Sequence, residues 1–191
     1  MSRPARFALS HAHLAIADIP AGAVVVHAAN GLGTWGSGVA AALRASFPAA
    51  YRVYADFCAA AKVRPDDRWP ARDAVAGRCL LIPPQPGDVR RGGPAVTIAC
   101  VFTSFGYGRP DAGTGKPGRD PAGVILDQTS QALADLRLQL DEAAGTGEPV
   151  AVYSPRFNSG AFKVPWERTA SLIVDRFDGW DGSWVVFDPP P

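Results

Sequence analysis

The stretch VVVHAANGLGTWGSGVAAAL, residues 24–43, passes from an apolar strand-like run through a glycine-rich turn into an alanine-rich helix start. Within it, GLGTWG satisfies G-x-G-x-x-G, the spacing of a dinucleotide fingerprint. Glycines alone do not fix its use, because any strand that turns sharply into a helix brings backbone N–H groups and a helix N-terminus to an anion. A Rossmann unit also needs an acidic residue about 20 residues further on, ending a second strand and holding the ribose hydroxyls. Asp56 has that offset but lies in AYRVYADFCAAAK, an amphipathic helical segment, so the second strand is missing.

Around this stretch, HLAIAD (13–18), AVVVHAA (23–29), RCLLIP (78–83), AVTIACVF (95–102), VAVYS (150–154) and SWVVF (183–187) read as strands, each rich in β-formers and bounded by Gly, Pro or Asp. Helical patterning covers Gly38–Lys62, broken before Pro48, then Ala122–Ala143 and Trp166–Phe177. Strands apolar on both faces that alternate with helices predict an α/β fold, a sheet covered on two sides. The sheet should be mixed, because not every connection holds a helix. Segments 83–94 and 105–121, crowded with Gly, Pro and charge, are expected as surface loops, and Pro189–Pro191 as a tail. A chain of 191 residues suits one domain spanning 1–191.

The formal net charge of +1 gives no single-sign field suited to nucleic acid or an anionic membrane, so a small molecule is the expected partner. Cys58, Cys79 and Cys100 are odd in number and set in apolar surroundings, which fits buried reduced thiols rather than disulfides or zinc ligands. His11 and His13 lack a Cys or carboxylate neighbour and read as surface residues, so neither a metal nor a cofactor is expected. The sequence shows no signal peptide or membrane-length apolar run, and a cytoplasmic or nuclear location is expected.

Two further chemistries fit the residue types. Cys58 and Arg64 have the spacing of a cysteine phosphatase, but that thiolate needs a loop of amides facing phosphate, and Ala-Ala-Ala-Lys after Cys58 commits those amides to a helix. The other reading combines three strand ends, where ligands of open α/β sheets bind. His27-Ala-Ala-Asn30 with its glycines, Thr103-Ser104, and Ser154 leading into NSGAFKVPW (158–166) gather polar and glycine residues there. Two such loops, each feeding a helix, could grip a diphosphate from both sides.

HAAN followed by GSGVA resembles the macrodomain signature N-A-A-N … G-G-G-V-A, and NSGAFKVP resembles that family's second loop. GTWGSGVA, VFTS and NSGAFKVPW are similar to motifs of one branch, the ADP-ribose-1''-phosphate phosphatases, over about Asp18 to Trp166. Departures are Ser37 and Lys163 in place of glycines, and Ala17-Asp18-Ile19 where Gly-Asp-Ile is usual. The resemblance implies a three-layer α/β/α macrodomain with a mixed sheet of about six strands.

It also implies roles. Asp18 would accept from the adenine amino group beside an apolar wall at Ile19, and Asn30 would bind the distal ribose. Gly36, Ser37, Gly38 and Val39 would line the phosphates, with Thr34 or Trp35 closing the edge. Ser159, Gly160, Ala161 and Phe162 would form the facing clamp. His27 would be the acid or base, with Asp111 as its partner carboxylate and Asp120 or Arg109 as alternatives at the terminal phosphate. The plain alternatives are a solvated turn for Asp18, a core histidine for His27, and core packing for Trp35 and Phe162. The expected activity is binding of ADP-ribose derivatives and hydrolysis of the terminal phosphate of ADP-ribose-1''-phosphate. The rivals are an ADP-ribosyl-ester hydrolase acting on ADP-ribosylated protein, and a non-catalytic ADP-ribose reader.

Overall fold

The structure, a computed structural model, describes residues 7–144, 147 and 149–188, so the expected tail at Pro189–Pro191 lies outside it. Six strands form one sheet: β1 (Ser10–His13), β2 (Val24–Asn30), β3 (Cys79–Ile82), β4 (Thr97–Ser104), β5 (Ala151–Ser154) and β6 (Ser183–Asp188). Their spatial order is β1-β6-β5-β2-β4-β3, with β3 antiparallel to β4 and every other pair parallel. The helices are α1 (Gly38–Ser46), α2 (Pro48–Ala60), α3 (Arg72–Val75), α4 (Pro86–Arg90), α5 (Ala122–Ala144) and α6 (Trp166–Arg176).

Strand alternation sends Val25 and Ala29 of β2 to one face and Val24 and Val26 to the other. On the first face they pack with Leu43 of α1 and Ala50, Tyr54 and Cys58 of α2. On the second they meet Ala132, Leu133 and Leu136 of α5 and Ile173 of α6. Both faces are therefore covered, the three-layer mixed sheet expected from the apolar runs. None of the helices is long and apolar enough to cross a membrane among the described residues. All three cysteines are buried and free.

Several local expectations are corrected. HLAIAD is not a strand: β1 ends at His13 and Ile16–Asp18 form a 3-10 turn, because the exposed edge strand takes its register from β6 rather than from its own alternation. The expected loop at 83–94 contains α4, whose Asp88 is buried and accepts the N–H groups of Ala49 and Ala50 at 2.8 and 2.9 Å, capping α2 from a distance. The segment 105–121 is not wholly surface, since Phe105 and Asp120 are buried at its two ends.

Asp120 holds those ends together. Its carboxylate receives both Arg72 guanidinium nitrogens at 2.9 and 2.8 Å, the Phe105 N–H at 2.8 Å and the Gln128 amide at 3.0 Å. Burial pushes its pKa up, but the bonds from Arg72, Phe105 and Gln128 outweigh that and hold it below the ordinary carboxylate range. A carboxylate depressed in the folded state adds stability above its unfolded pKa and loses it as pH falls through the folded value. Asp120→Ala should cost about 2–4 kcal/mol at neutral pH. It should also flatten the acid limb of the stability curve below about pH 4. Urea titrations across pH that leave the acid limb of the variant parallel to wild type would contradict this assignment.

Candidate functional site

A cleft of about 940 Å³ opens across the carboxyl ends of β2, β5 and β6. Thr34–Ala40 form one wall, Pro155–Phe162 the other, Tyr107–Gly108 one end and Phe187–Asp188 the far end. Helix α1 begins in the first wall at Gly38, which has φ of 55°. Ser37 precedes it without a side-chain cap, and the helix's first backbone bond into that residue comes from Ala41. The N–H groups of Gly38, Val39 and Ala40 thus make no hydrogen bond to a described residue. In the facing wall, Ser159, Lys163 and Val164 donate into their own turn, while the N–H groups of Gly160, Ala161 and Phe162 do not. Two walls of one cleft therefore present unpaired backbone donors, which is the requirement for gripping a polyanion.

Each wall is held from behind by an asparagine. Asn30 Nδ2 donates to the Thr34 carbonyl at 2.6 Å, and its Oδ1 accepts the Leu32 N–H at 2.9 Å. The Tyr54 hydroxyl reaches the Asn30 carbonyl at 2.6 Å and Oδ1 at 3.2 Å. Asn158 has φ of 67°, a left-handed conformation that asparagine tolerates. Its Oδ1 accepts the Thr103 hydroxyl at 2.7 Å, and its Nδ2 donates to the Thr129 and Thr169 hydroxyls at 2.9 and 3.2 Å. The pairing of β2 with β4 skips Thr103, Ala29 facing Phe102 and Asn30 facing Ser104, and this bulge accompanies the Thr103–Asn158 bond.

His27 lies under the cleft at 1% exposure. Its Nδ1 is 3.0 Å from the Ala28 carbonyl, which can only accept, so Nδ1 carries the proton. Nε2 is 3.5 Å from Cys100 Sγ, and the Trp35 ring meets the imidazole edge-on at 4.7 Å. Burial lowers the His27 pKa to about 4, against the opposing pull of the Ala28 bond. The imidazole is neutral near pH 7 and both its nitrogens have partners.

An ADP-ribose 1''-phosphate phosphatase of Neosartorya fischeri is 35% identical over 175 residues, covering 82% of this chain and 84% of that relative. The chain belongs to the ADP-ribose 1''-phosphate phosphatase family. The macrodomain of Thermus aquaticus DarG superposes with a TM-score of 0.64 at 18% identity, covering 96% of this chain and 99% of that one. Thermosipho africanus DarTG in complex with ADP-ribose gives 0.63 at 13% identity, covering 94% of this chain and 41% of that one. The fold is thus the macrodomain fold. No family model matches the chain.

Within this macrodomain, Asn30, Thr34, Trp35, Gly36, Ser37, Gly38, Val39, Ser159, Gly160, Ala161 and Phe162 all line the cleft, as does His27. Trp35 is nevertheless a packing residue, 1% exposed and stacked on Tyr54 at 5.1 Å. Asp18 and Ile19 do not line it: Asp18 is exposed at the end of the 3-10 turn, and Ile19 is buried in the core with Leu43. The second loop does not feed a helix directly either, since α6 starts at Trp166, beyond Lys163–Pro165.

The expected pairing of His27 with Asp111 is not formed. Asp111 is fully exposed outside the cleft lining, and its carboxylate accepts the Gly113 N–H at 2.8 Å within its own turn. That bond, with help from Thr114, lowers its pKa. Asp120 is occupied by Arg72, Phe105 and Gln128, and Arg109 does not line the cleft. Cys58 sits inside α2 with its thiol pushed up to about 12 by burial, which removes the thiolate reading. No cluster of three or more His, Cys, Asp or Glu gathers in metal-binding geometry among the described residues.

Asn158, Tyr107 and the Arg156–Asp188 pair, 3.4 Å apart at the far end, are cleft residues that sequence reasoning missed. The Asn-Ser-Gly order of 158–160, with its tolerance of a left-handed residue, was the available signal for Asn158. Tyr54→Phe should lower stability by about 1–2 kcal/mol by freeing the Asn30 carbonyl. In the same variant, amide exchange should speed up at Leu32 and Thr34. Unchanged exchange there would show that Tyr54 does not brace this wall.

Proposed function

We propose that the chain is a single macrodomain that binds ADP-ribose derivatives and hydrolyses the terminal phosphate of ADP-ribose-1''-phosphate. The observation that carries this reading is the pair of walls with unpaired N–H groups, at Gly38–Ala40 and Gly160–Phe162, facing one cleft. Membership of the phosphatase family supports the reaction class.

A diphosphate between those walls accepts from both sets of donors, aided by the α1 N-terminus. Asn30 already gives one amide hydrogen to Thr34, which leaves its second for a ribose hydroxyl. In the reaction, water attacks phosphorus and the bond from phosphorus to the distal ribose oxygen breaks, releasing ADP-ribose and phosphate. His27 acts as a positioning residue: neutral and bonded to Ala28 and Cys100, it fixes the end of β2 and the Trp35 ring beneath Asn30. The partner is a small molecule, with ADP-ribosylated protein as the rival substrate. The weak net charge favours neither nucleic acid nor membrane. Three buried free thiols support a reducing compartment, cytosol or nucleus.

Calorimetry with ADP-ribose and phosphate release from ADP-ribose-1''-phosphate test the reading together. One-to-one binding with phosphate release is expected. Binding without phosphate release would demote the chain to a reader, or to an ester hydrolase if mono-ADP-ribosylated protein is turned over instead. Absence of binding at millimolar ADP-ribose would remove the reading altogether.

A further inference from the structure

The end of the cleft at Tyr107 and Gly108 is built by a loop that the family motifs do not cover. Phe105 N–H is pinned on Asp120, and the Ser104 hydroxyl donates to the Gly106 carbonyl at 2.7 Å. A Cβ on Gly106 would collide with the Gly118 carbonyl oxygen, so the two limbs of the loop touch backbone to backbone. The Lys116 ammonium sits between them. It donates to the Tyr107 and Arg109 carbonyls at 2.6 and 2.8 Å and lies 4.3 Å from the Tyr107 ring centre.

This clasp fixes Tyr107 at the cleft end, where its ring packs with Phe162 and Ile125. The Tyr107 hydroxyl makes no hydrogen bond to a described residue. Beside it, the Arg119 N–H donates to the Gly108 carbonyl at 2.9 Å. Arg119 is exposed just outside the cleft lining, and its guanidinium reaches the rim only through one long bond to the carbonyl of Ala161, which does line the cleft, at 3.4 Å, with no carboxylate partner among the described residues. At the other end, Arg156 is already neutralised by Asp188. A dianion entering by Tyr107 would find a phenol donor and an uncompensated guanidinium, and a guanidinium exchanges a single carbonyl for a phosphate readily because it can then donate two charge-assisted bonds.

We infer that Tyr107 and Arg119 form the subsite for the terminal phosphate and so distinguish a phosphorylated distal ribose from ADP-ribose itself. The inference rests on the proposed function, with the diphosphate between the two walls, and adds an orientation in which the distal ribose lies against Phe162, whose ring packs with Tyr107. Arg119 is then a specificity residue that closes the cleft from α5's leading loop, and Lys116 is a positioning residue that keeps Tyr107 in place.

The test compares ADP-ribose and ADP-ribose-1''-phosphate as competitors of a fluorescent ADP-ribose derivative, read by stopped flow before turnover, together with steady-state phosphate release. Wild type should prefer the phosphorylated ligand, and Arg119→Ala should erase that preference by about ten- to a hundredfold while ADP-ribose affinity changes by less than about threefold. Tyr107→Phe should reduce the preference by a smaller factor, and Arg119→Lys should restore part of it. Equal loss of both affinities in Arg119→Ala would make Arg119 a mere brace for Ala161 and overturn the inference, as would an unchanged preference. If wild type binds neither ligand, the proposed function fails and the subsite with it. If it binds both but releases no phosphate, the preference and its loss in Arg119→Ala still decide the subsite.

Discussion

Backbone N–H groups can serve a ligand only if they are withheld from the protein's own hydrogen bonds, and a chain segment with unpaired donors must then be held by something else. In this macrodomain the holding is done by two asparagine carboxamides placed behind the walls they support. Asn30 closes the turn that carries Thr34 toward α1, and Asn158 ties the facing wall to β4, α5 and α6 through three threonine and asparagine hydroxyl or amide contacts. Each is nearly fully buried, so its bonds form in a low-dielectric setting where an unpaired partner is costly. The cleft is thus preorganised by buried polar groups whose hydrogen bonds fix the two walls.

The sheet makes this arrangement possible. Parallel strands β2, β5 and β6 end on the same side, so their loops share one rim, and the antiparallel β3 stays away at the edge. Apolar packing on both faces leaves the strand ends as the sites where polar backbone meets solvent. His27 marks the boundary. Its ring belongs to the interior side of that boundary, wedged between Trp35 and Cys100, while Asn30, three residues later and beyond the β4 bulge, belongs to the cleft.

Much of this was legible in the sequence. The doubly apolar VVV of β2 and the CVF of β4 announced a covered sheet, and the two glycine loops announced the cleft walls, because both signals are local. The surroundings of His27 and Asp111 were not legible. A histidine before an asparagine at a strand end suits acid–base chemistry by position alone. Whether it faces water depends on Trp35 folding back over it and on Cys100 from β4, contacts that no spacing encodes. Asp111 follows Thr103-Ser104 closely in sequence, but the Lys116 clasp holds that loop so that Tyr107 lines the cleft and Asp111 does not. The short helices α3 and α4 escaped notice because proline and glycine at their ends mimic loops, while a distant cap, Asp88 on α2, leaves no local signature.

The cleft works with fixed backbone donors above a histidine that stays neutral and dry. Nitrogen-15 NMR of the His27 ring, recorded with and without ADP-ribose, measures this directly. The predicted result is a neutral imidazole protonated on Nδ1 at every pH from about 5.5 to about 8, unmoved by the ligand. A ring that titrates near its ordinary value of about 6.5, or shifts its proton to Nε2 when ADP-ribose binds, would contradict the account and return His27 to the chemistry.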